Sequence, residues 1–269
     1  MEVEPGLSFI QLNNVLKEKG FYFPLDAGPA ATIGGMIANN ASGTRALRYG
    51  AMRDNVISMQ VVLSNGKVVT TSSLSRKTSA AYNLNALIVG SEGTLAIVCR
   101  ATIKMHKIPT FIFSATFSCP NLRKCAEIVT SLIQQKEDGV ELSSVSMLEI
   151  LDEVMIEALN RRFKLGLPIE PTVYLEIGCN SQQSLKAQKE GLERLVEKSG
   201  GNNLKLYLEE EERDSLLKAR KAALFCTEAL RPDEKDLKIC TTDTCVPISR
   251  LAEMMSETKE DLKKSFLFG

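Results

Sequence analysis

The sequence predicts an α+β protein built in two parts, and three observations predict it. First, β-branched and aromatic runs alternate with amphipathic segments throughout the second half. Second, the first half carries an Asn-Gly pair between two β-branched runs, the short-range signature of a hairpin. Third, composition shifts near Pro109, which divides the chain into residues 1–109 and 110–269. The 269 residues suffice for one large or two medium domains.

Taken in order, Leu7, Ile10, Leu12, Val15 and Leu16 recur at helical spacing and predict a helix over 7–19. Ser8 is its N-cap and Gly20 its stop. Residues 23–55 are rich in Gly, Pro, Asn, Ser and Thr and read as a glycine-rich loop. Such a loop can present main-chain N–H groups to phosphate oxygens, or simply serve as a turn-rich crossover. Strands are expected over 56–63 and 67–71, with a polar, exposed stretch over 72–79. Gly90-Ser91-Glu92-Gly93 is then expected to be a tight turn between two strands. Neither glycine cluster has GxGxxG or GxxxxGK[ST] spacing, which argues against a nicotinamide Rossmann site or a P-loop.

In the second half, strands are expected over 111–117, 140–145, 172–177, 204–208 and 239–246. Helices are expected over 122–135, 147–160, 184–198, 210–230 and 247–263. The 147–160 segment places Leu148, Leu151, Met155 and Leu159 on one helical face. Glu209 to Glu212 suit a helix N-terminus rather than a metal site. Helices on one face of a mostly antiparallel sheet are the expected arrangement.

Composition narrows the function classes. Lys and Arg balance Asp and Glu at 33 each, so no basic field would gather nucleic acid. There is no apolar run of membrane-spanning length. The N-terminus MEVEPGLSF is acidic and arginine-poor, so no targeting peptide is expected within this chain. Seven cysteines without a CxxC pair, and a single His106, predict buried free thiols rather than a disulfide framework or a zinc site. His106, with nothing nearby in sequence to orient it, reads as an exposed structural residue rather than a base.

Several motifs, in order, carry a resemblance. They are Val3-Glu4-Pro5-Gly6, Phe23-Pro24-Leu25-Asp26-Ala27-Gly28, Thr32-Ile33-Gly34-Gly35-Met36, Asn40-Ala41-Ser42-Gly43, Arg48-Tyr49-Gly50, Arg53-Asp54 and Gly90-Ser91-Glu92-Gly93-Thr94-Leu95. Leu151-Asp152-Glu153-Val154-Met155 and Cys245-Val246-Pro247-Ile248-Ser249-Arg250-Leu251 extend it through the second half. On these the chain resembles the FAD-linked oxidases of the vanillyl-alcohol-oxidase type, and within them the branch acting on D-2-hydroxy acids.

The resemblance implies the second half of a PCMH-type FAD-binding domain over 1–109. It implies an antiparallel-sheet-plus-helices substrate (cap) domain over 110–269. It implies FAD as cofactor, with Gly28, Thr32, Gly34, Gly35, Asn40 and Gly43 at the pyrophosphate and ribityl chain, and Gly93 and Ile97 toward the adenine. Arg220 is implied as the anchor of the substrate carboxylate, a task suited to a guanidinium fork. The implied reaction oxidises a D-lactate-like acid to the 2-oxo acid and passes electrons to cytochrome c or a quinone-linked acceptor, in mitochondria. Two departures stand out. The family's usual histidine after Ala-Arg is Lys221 here, and the family's flanking segments are not in this sequence. The expectation is the middle of an enzyme, inactive or nearly so alone, with an inactive FAD-binding or partner-binding fragment as the alternative.

Overall fold

A computed structural model of the chain describes residues 1–28, 30–75, 77–134, 140–230 and 241–265. It falls into two compact units, Met1–Pro109 and Thr110–Gly269.

The first unit contains, in order, β1 (Glu2–Val3), α1 (Phe9–Lys17), β2 (Phe21–Tyr22), α2 (Ile33–Ala38), α3 (Ala46–Tyr49) and α4 (Met52–Asn55). Then follow β3 (Val56–Leu63), β4 (Val68–Thr70), α5 (Leu84–Ile88), β5 (Ala96–Ile103) and β6 (His106–Lys107). An antiparallel sheet runs β1-β5-β3-β4, and β2 pairs with β6. Ser8 caps α1 through a capping box with Gln11, satisfying donors at both ends of the pair. The Asn65-Gly66 turn closes the β3–β4 hairpin; Gly66 takes a φ of +80°, which an L side chain resists. Leu12 and Leu16 of α1, Ile33, Met36 and Ile37 of α2, and Met59, Val61 and Ile103 of the sheet make one core with Phe23 and Leu25. Each such side chain contributes roughly 1.5–3 kcal/mol on burial.

Two expectations fail here. Residues 23–55 are not an open loop but hold three short helices, because Ile33, Met36, Ile37 and Met52 are buried at helical spacing. The segment before Gly90 is helix α5 rather than a strand, because the Asn83 side chain accepts from Ala86 N and starts a helical turn.

The second unit contains β7 (Phe111–Ser118), α6 (Leu122–Ile133), β8 (Val145–Leu151), α7 (Glu153–Phe163), β9 (Thr172–Cys179) and α8 (Gln182–Lys198). Then come β10 (Asn202–Tyr207), α9 (Glu210–Lys221), α10 (Ala223–Cys226) and α11 (Leu251–Lys264). The sheet order is β10-β7-β9-β8, all antiparallel. Phe113, Phe117, Val173, Leu175 and Ile177 on one face pack against Ile128, Val129 and Leu132 of α6 and Leu192, Leu195 and Val196 of α8. The other face is different in kind. Met147, Tyr174, Tyr207 and Leu216 form a small cluster there, and Ser114, Thr116, Ser146 and Glu176 are buried.

The expected helix over 147–160 is a correction. Residues up to Leu151 form β8, and Asp152 then caps α7 by accepting from Met155 N at 2.8 Å. An apolar spacing of three and four fits a helix, but pairing to β9 with Leu148 opposite Leu175 decides it. The expected strand over 140–145 is a 3-10 turn, Leu142–Ser144, leading into β8. The expected helix over 210–230 breaks at Ala222 into α9, α10 and a 3-10 turn, Thr227–Leu230. Of the strand expected over 239–246, Ile239 and Cys240 lie outside the described residues and Thr241 to Val246 form none. Cys119, Cys125, Cys179 and Cys226 are buried free thiols, whereas Cys99 is half-buried and Cys245 is exposed.

Candidate cofactor groove and substrate arginine

Thr32 starts α2: its Oγ1 accepts from Gly35 N at 3.3 Å. The helix is stitched on both sides. Gly34 N donates to Pro5 O at 2.8 Å and Ile33 N to Leu7 O at 2.9 Å. At its other end, Ile37 O and Ala38 O accept from Gly90 N and Glu92 N, each at 2.9 Å. The two glycine clusters, distant in sequence, therefore form one assembly. Between them lies a groove of about 350 Å³ lined by Pro5, Gly6, Thr32, Gly34, Gly35, Ala38, Ser91 and Gly93, with Ile88, Ala96, Ile97 and Val98 as apolar wall.

Of the residues expected to meet the cofactor, Thr32, Gly34, Gly35, Gly93 and Ile97 line this groove, while Gly28, Asn40 and Gly43 do not. The reason for glycine also differs from the open-donor argument. The N–H groups of Gly28, Gly34 and Gly35 are spent on Asp26 Oδ1, Pro5 O and Thr32 Oγ1. A Cβ at Gly34 would lie 2.6 Å from Pro5 Cβ, and one at Gly43 would lie 2.7 Å from Asp26 N. These two glycines allow backbones to touch. Asn40 accepts from Arg53 N through Oδ1 at 3.0 Å. Gly93 is the exception: its φ is +77°, a Cβ there would meet nothing within 4 Å, and its N–H makes no hydrogen bond among the described residues. Pro5, Gly6, Ala38, Ile88, Ser91, Ala96 and Val98 were missed as lining residues, because the pairing of β1 with β5 and the docking of residues 90–92 on the end of α2 bring these distant segments together.

His106 is not an exposed residue. Its ring is half-buried, 4.6 Å from the Tyr49 ring, and Tyr22 and Tyr49 are joined hydroxyl to hydroxyl. Asn55 Nδ2 donates to Tyr49 O at 2.8 Å and Ala51 O at 2.9 Å, so its Oδ1 is the acceptor for His106 Nε2 at 3.1 Å. Burial, then the charges of Lys104 and Arg48, push the imidazole below its ordinary value. A neutral Nε2–H tautomer held in this way serves the fold.

Arg220 sits in the last turn of α9, and its Nε donates to Glu149 Oε2 on β8. The Glu149 side chain is 15% exposed and that of Arg220 29%. Burial raises the Glu149 carboxyl above its usual value, against the pull of the Arg220 charge and hydrogen bond. Glu149 stands directly opposite Tyr174 on β9, and Tyr174 opposite Thr116 on β7. A polar row therefore crosses the sheet beneath α9. The glutamate was missed because 147–160 reads as a helix; read as a strand, Glu149 is the one charged residue of β8.

Among the described residues no group of three or more His, Cys, Asp or Glu is placed to hold a metal ion. No helix among them is long and apolar enough to cross a membrane.

Comparison with known proteins places the chain in a family. The family model for the FAD binding domain matches residues 1–72, and that for the C-terminal domain of FAD linked oxidases matches residues 108–268. The chain is 40% identical over 265 residues to "D-lactate dehydrogenase [cytochrome], mitochondrial" of Arabidopsis thaliana, covering 98% of this chain and 45% of that protein. It is 40% identical over 270 residues to "Probable D-lactate dehydrogenase, mitochondrial" of Danio rerio, covering 99% and 52%. Against the "Glycolate oxidase subunit GlcD" of Bacillus subtilis, identity is 31% over 256 residues, covering 94% and 52%. The chain thus spans about half the length of the curated relatives it matches. A solved alkyldihydroxyacetonephosphate synthase shares the fold, with a TM-score of 0.70, 17% identity, and coverage of 98% of this chain and 52% of that one. With more than half of its length matched by the C-terminal oxidase model, the chain belongs to the FAD-linked oxidases.

Proposed function

We propose that this chain is part of an FAD-dependent dehydrogenase that oxidises a D-2-hydroxy acid to the 2-oxo acid, with D-lactate as the model substrate. The observation that carries the reading is the 40% identity, over nearly the whole chain, to proteins named as D-lactate dehydrogenases. The names of two relatives also support a cytochrome as electron acceptor and a mitochondrial setting; a quinone-linked carrier is the alternative acceptor.

The groove fits part of a dinucleotide. At about 350 Å³ it stands at the small end of ligand pockets, which run from ~300 to ~1,000 Å³. Ile97, 62% exposed, offers an apolar contact to a flat ring, and Gly93 permits close approach of the backbone. Thr32, Gly34, Gly35, Gly93 and Ile97 would hold FAD directly. Gly28, Asn40 and Gly43 would act there by shaping the assembly around the groove. When bound, FAD supplies the acceptor for the electrons removed from the alcohol. Arg220 contributes the charge that binds the substrate carboxylate, and its planar fork fixes the orientation of that group.

Titration of FAD into the purified chain, followed by flavin fluorescence, tests the reading. A saturable change is expected. Gly93→Asn should weaken it by roughly tenfold or more without unfolding the chain, because asparagine tolerates positive φ while its side chain fills the groove. The loaded chain is then offered D-lactate and glycolate, and the flavin absorbance is followed. Bleaching by D-lactate supports the dehydrogenase reading. Flavin binding without bleaching by either acid confines the chain to cofactor binding, and no saturable change overturns the proposal.

A further inference from the structure

Arginine and glutamate side chains both lose freedom when buried, so a pair held between two elements is informative about geometry. Arg220 approaches Glu149 through Nε, the inner edge of the guanidinium. Its Nη1 and Nη2 groups make no hydrogen bond among the described residues, although the side chain is only 29% exposed. Neither nitrogen is among the buried atoms left without a partner, so the outer fork reaches solvent, where an anion can meet it. Here the inner edge is tethered and the outer edge is open. The tether has a firm base, since Glu149 lies on β8 with hydrogen-bonded neighbours on β9, and Ala219, the residue before Arg220, is buried.

We propose that Glu149 is the positioning residue of the carboxylate site: it fixes the Arg220 guanidinium through Nε and leaves the Nη1–Nη2 edge to bind the carboxylate of the 2-hydroxy acid. This rests on Arg220 being the substrate anchor. The consequence is specific. Glu149 acts through hydrogen-bond geometry, and its negative charge works against anion binding. Removing the charge while keeping an acceptor should therefore leave carboxylate affinity intact or improved. Removing the acceptor should free the guanidinium to rotate and lose affinity.

The test uses the 269-residue chain and the side-chain Nε–Hε NMR signal of Arg220, assigned by its loss in Arg220→Lys. Sodium D-lactate is titrated, with sodium chloride as the ionic control. The proposal expects a saturable, lactate-dependent shift of the Arg220 signal in the wild type. It expects affinity in Glu149→Gln equal to or tighter than wild type, and affinity in Glu149→Ala weaker than in Glu149→Gln by about fivefold or more, with the exposure of the pair already discounted. Backbone spectra establish that each variant is folded; if Glu149→Ala is not, Glu149→Leu supplies the acceptor-free arm. Equal affinity in the acceptor-bearing and acceptor-free variants overturns the role of Glu149 while keeping Arg220 as anchor. The absence of any lactate-dependent shift at Arg220 in the wild type overturns the anchor, and the proposal with it.

Discussion

Replacing Gly34 by alanine opposes two forces whose magnitudes can be set against each other. Alanine favours the helix by ~0.8–1.0 kcal/mol over glycine, so α2 taken alone would gain. The new Cβ, however, would sit 2.6 Å from Pro5 Cβ, 3.1 Å from Pro5 O and 3.3 Å from Pro5 Cα. Carbon atoms rest at ~3.5–4.0 Å, so α2 and the Pro5 turn must part by about 1 Å. Backbone on one side and a rigid ring on the other leave no flexible side chain to move aside. Overpacking of this kind costs ~1–3 kcal/mol. The 2.8 Å bond from Gly34 N to Pro5 O is strained in the same movement, which adds ~0.5–1.5 kcal/mol. The expected net loss is roughly 1–3 kcal/mol. Native-state hydrogen exchange on β3 and β5 amides reads it as a ~5- to 150-fold faster opening, with β7 and β9 amides of the other unit as internal reference. Gly35→Ala is the control, because its Cβ would meet only the Thr32 hydroxyl, at 3.2 Å. Exchange in Gly34→Ala as slow as in the wild type, or slower, would refute the assignment of Gly34 to backbone contact.

Two further outcomes follow from burial and charge. Burial pushes the Glu153 carboxyl up, but its bond to Lys259, its own backbone N–H and the charges of Lys259 and Lys263 outweigh this and hold it below its usual 4.5. Its stabilisation is therefore present above pH ~4.5 and lost as pH falls through the lowered folded value, so α11 amide protection should hold at neutral pH and fall as pH drops below about 4.5, and fall less in Glu153→Gln. Glu149 has the opposite sign: its raised value means stability is lost as pH rises through it, so Glu149→Gln should not lower the urea midpoint at neutral pH. Among the described cysteines, a thiol reagent followed by peptide mapping should modify Cys245 first and Cys99 next, while Cys119, Cys125, Cys179 and Cys226 react only on unfolding; early labelling of Cys179 would contradict the packing of β9.

Much of the fold was legible because the deciding forces were local. The β3 run of β-branched residues, the Asn65-Gly66 turn and the helix capped by Ser8 follow from the side chains that form them. The failures share one physical cause. Residues 147–151 have a spacing compatible with helix, and only the edge of β9, more than twenty positions later, makes them a strand. Residues 87–89 suit a strand by propensity, yet the Asn83 cap and the docking of Gly90 on Ile37 O hold them as the end of α5. In each case a long-range partner overrode a weak local preference.

Five of the eight residues expected at the cofactor line the groove, and the reasons for the glycines were not legible in the sequence. Glycines mark where the chain needs close approach, but a sequence does not say whether the thing approached is a ligand or another backbone. Building a Cβ at each position separates the two. Gly34 and Gly43 face Pro5 and Asp26, so their absence of side chain assembles the unit, while Gly93 faces open space on the groove. The same separation applies to Arg220. Its residue type suits a carboxylate, but the type alone cannot distinguish an anchor from a solvated helix face. The proposed carboxylate site rests on the way Glu149 takes one edge of the guanidinium and leaves the other open. An exposed arginine on a helix surface would need no such partner, because water already satisfies its donors. Tethering by a buried carboxylate costs desolvation, which the Arg220 charge and its hydrogen bond offset in part. In the proposed site, the orientation of Arg220 on α9, as well as its charge, is what a bound acid would use.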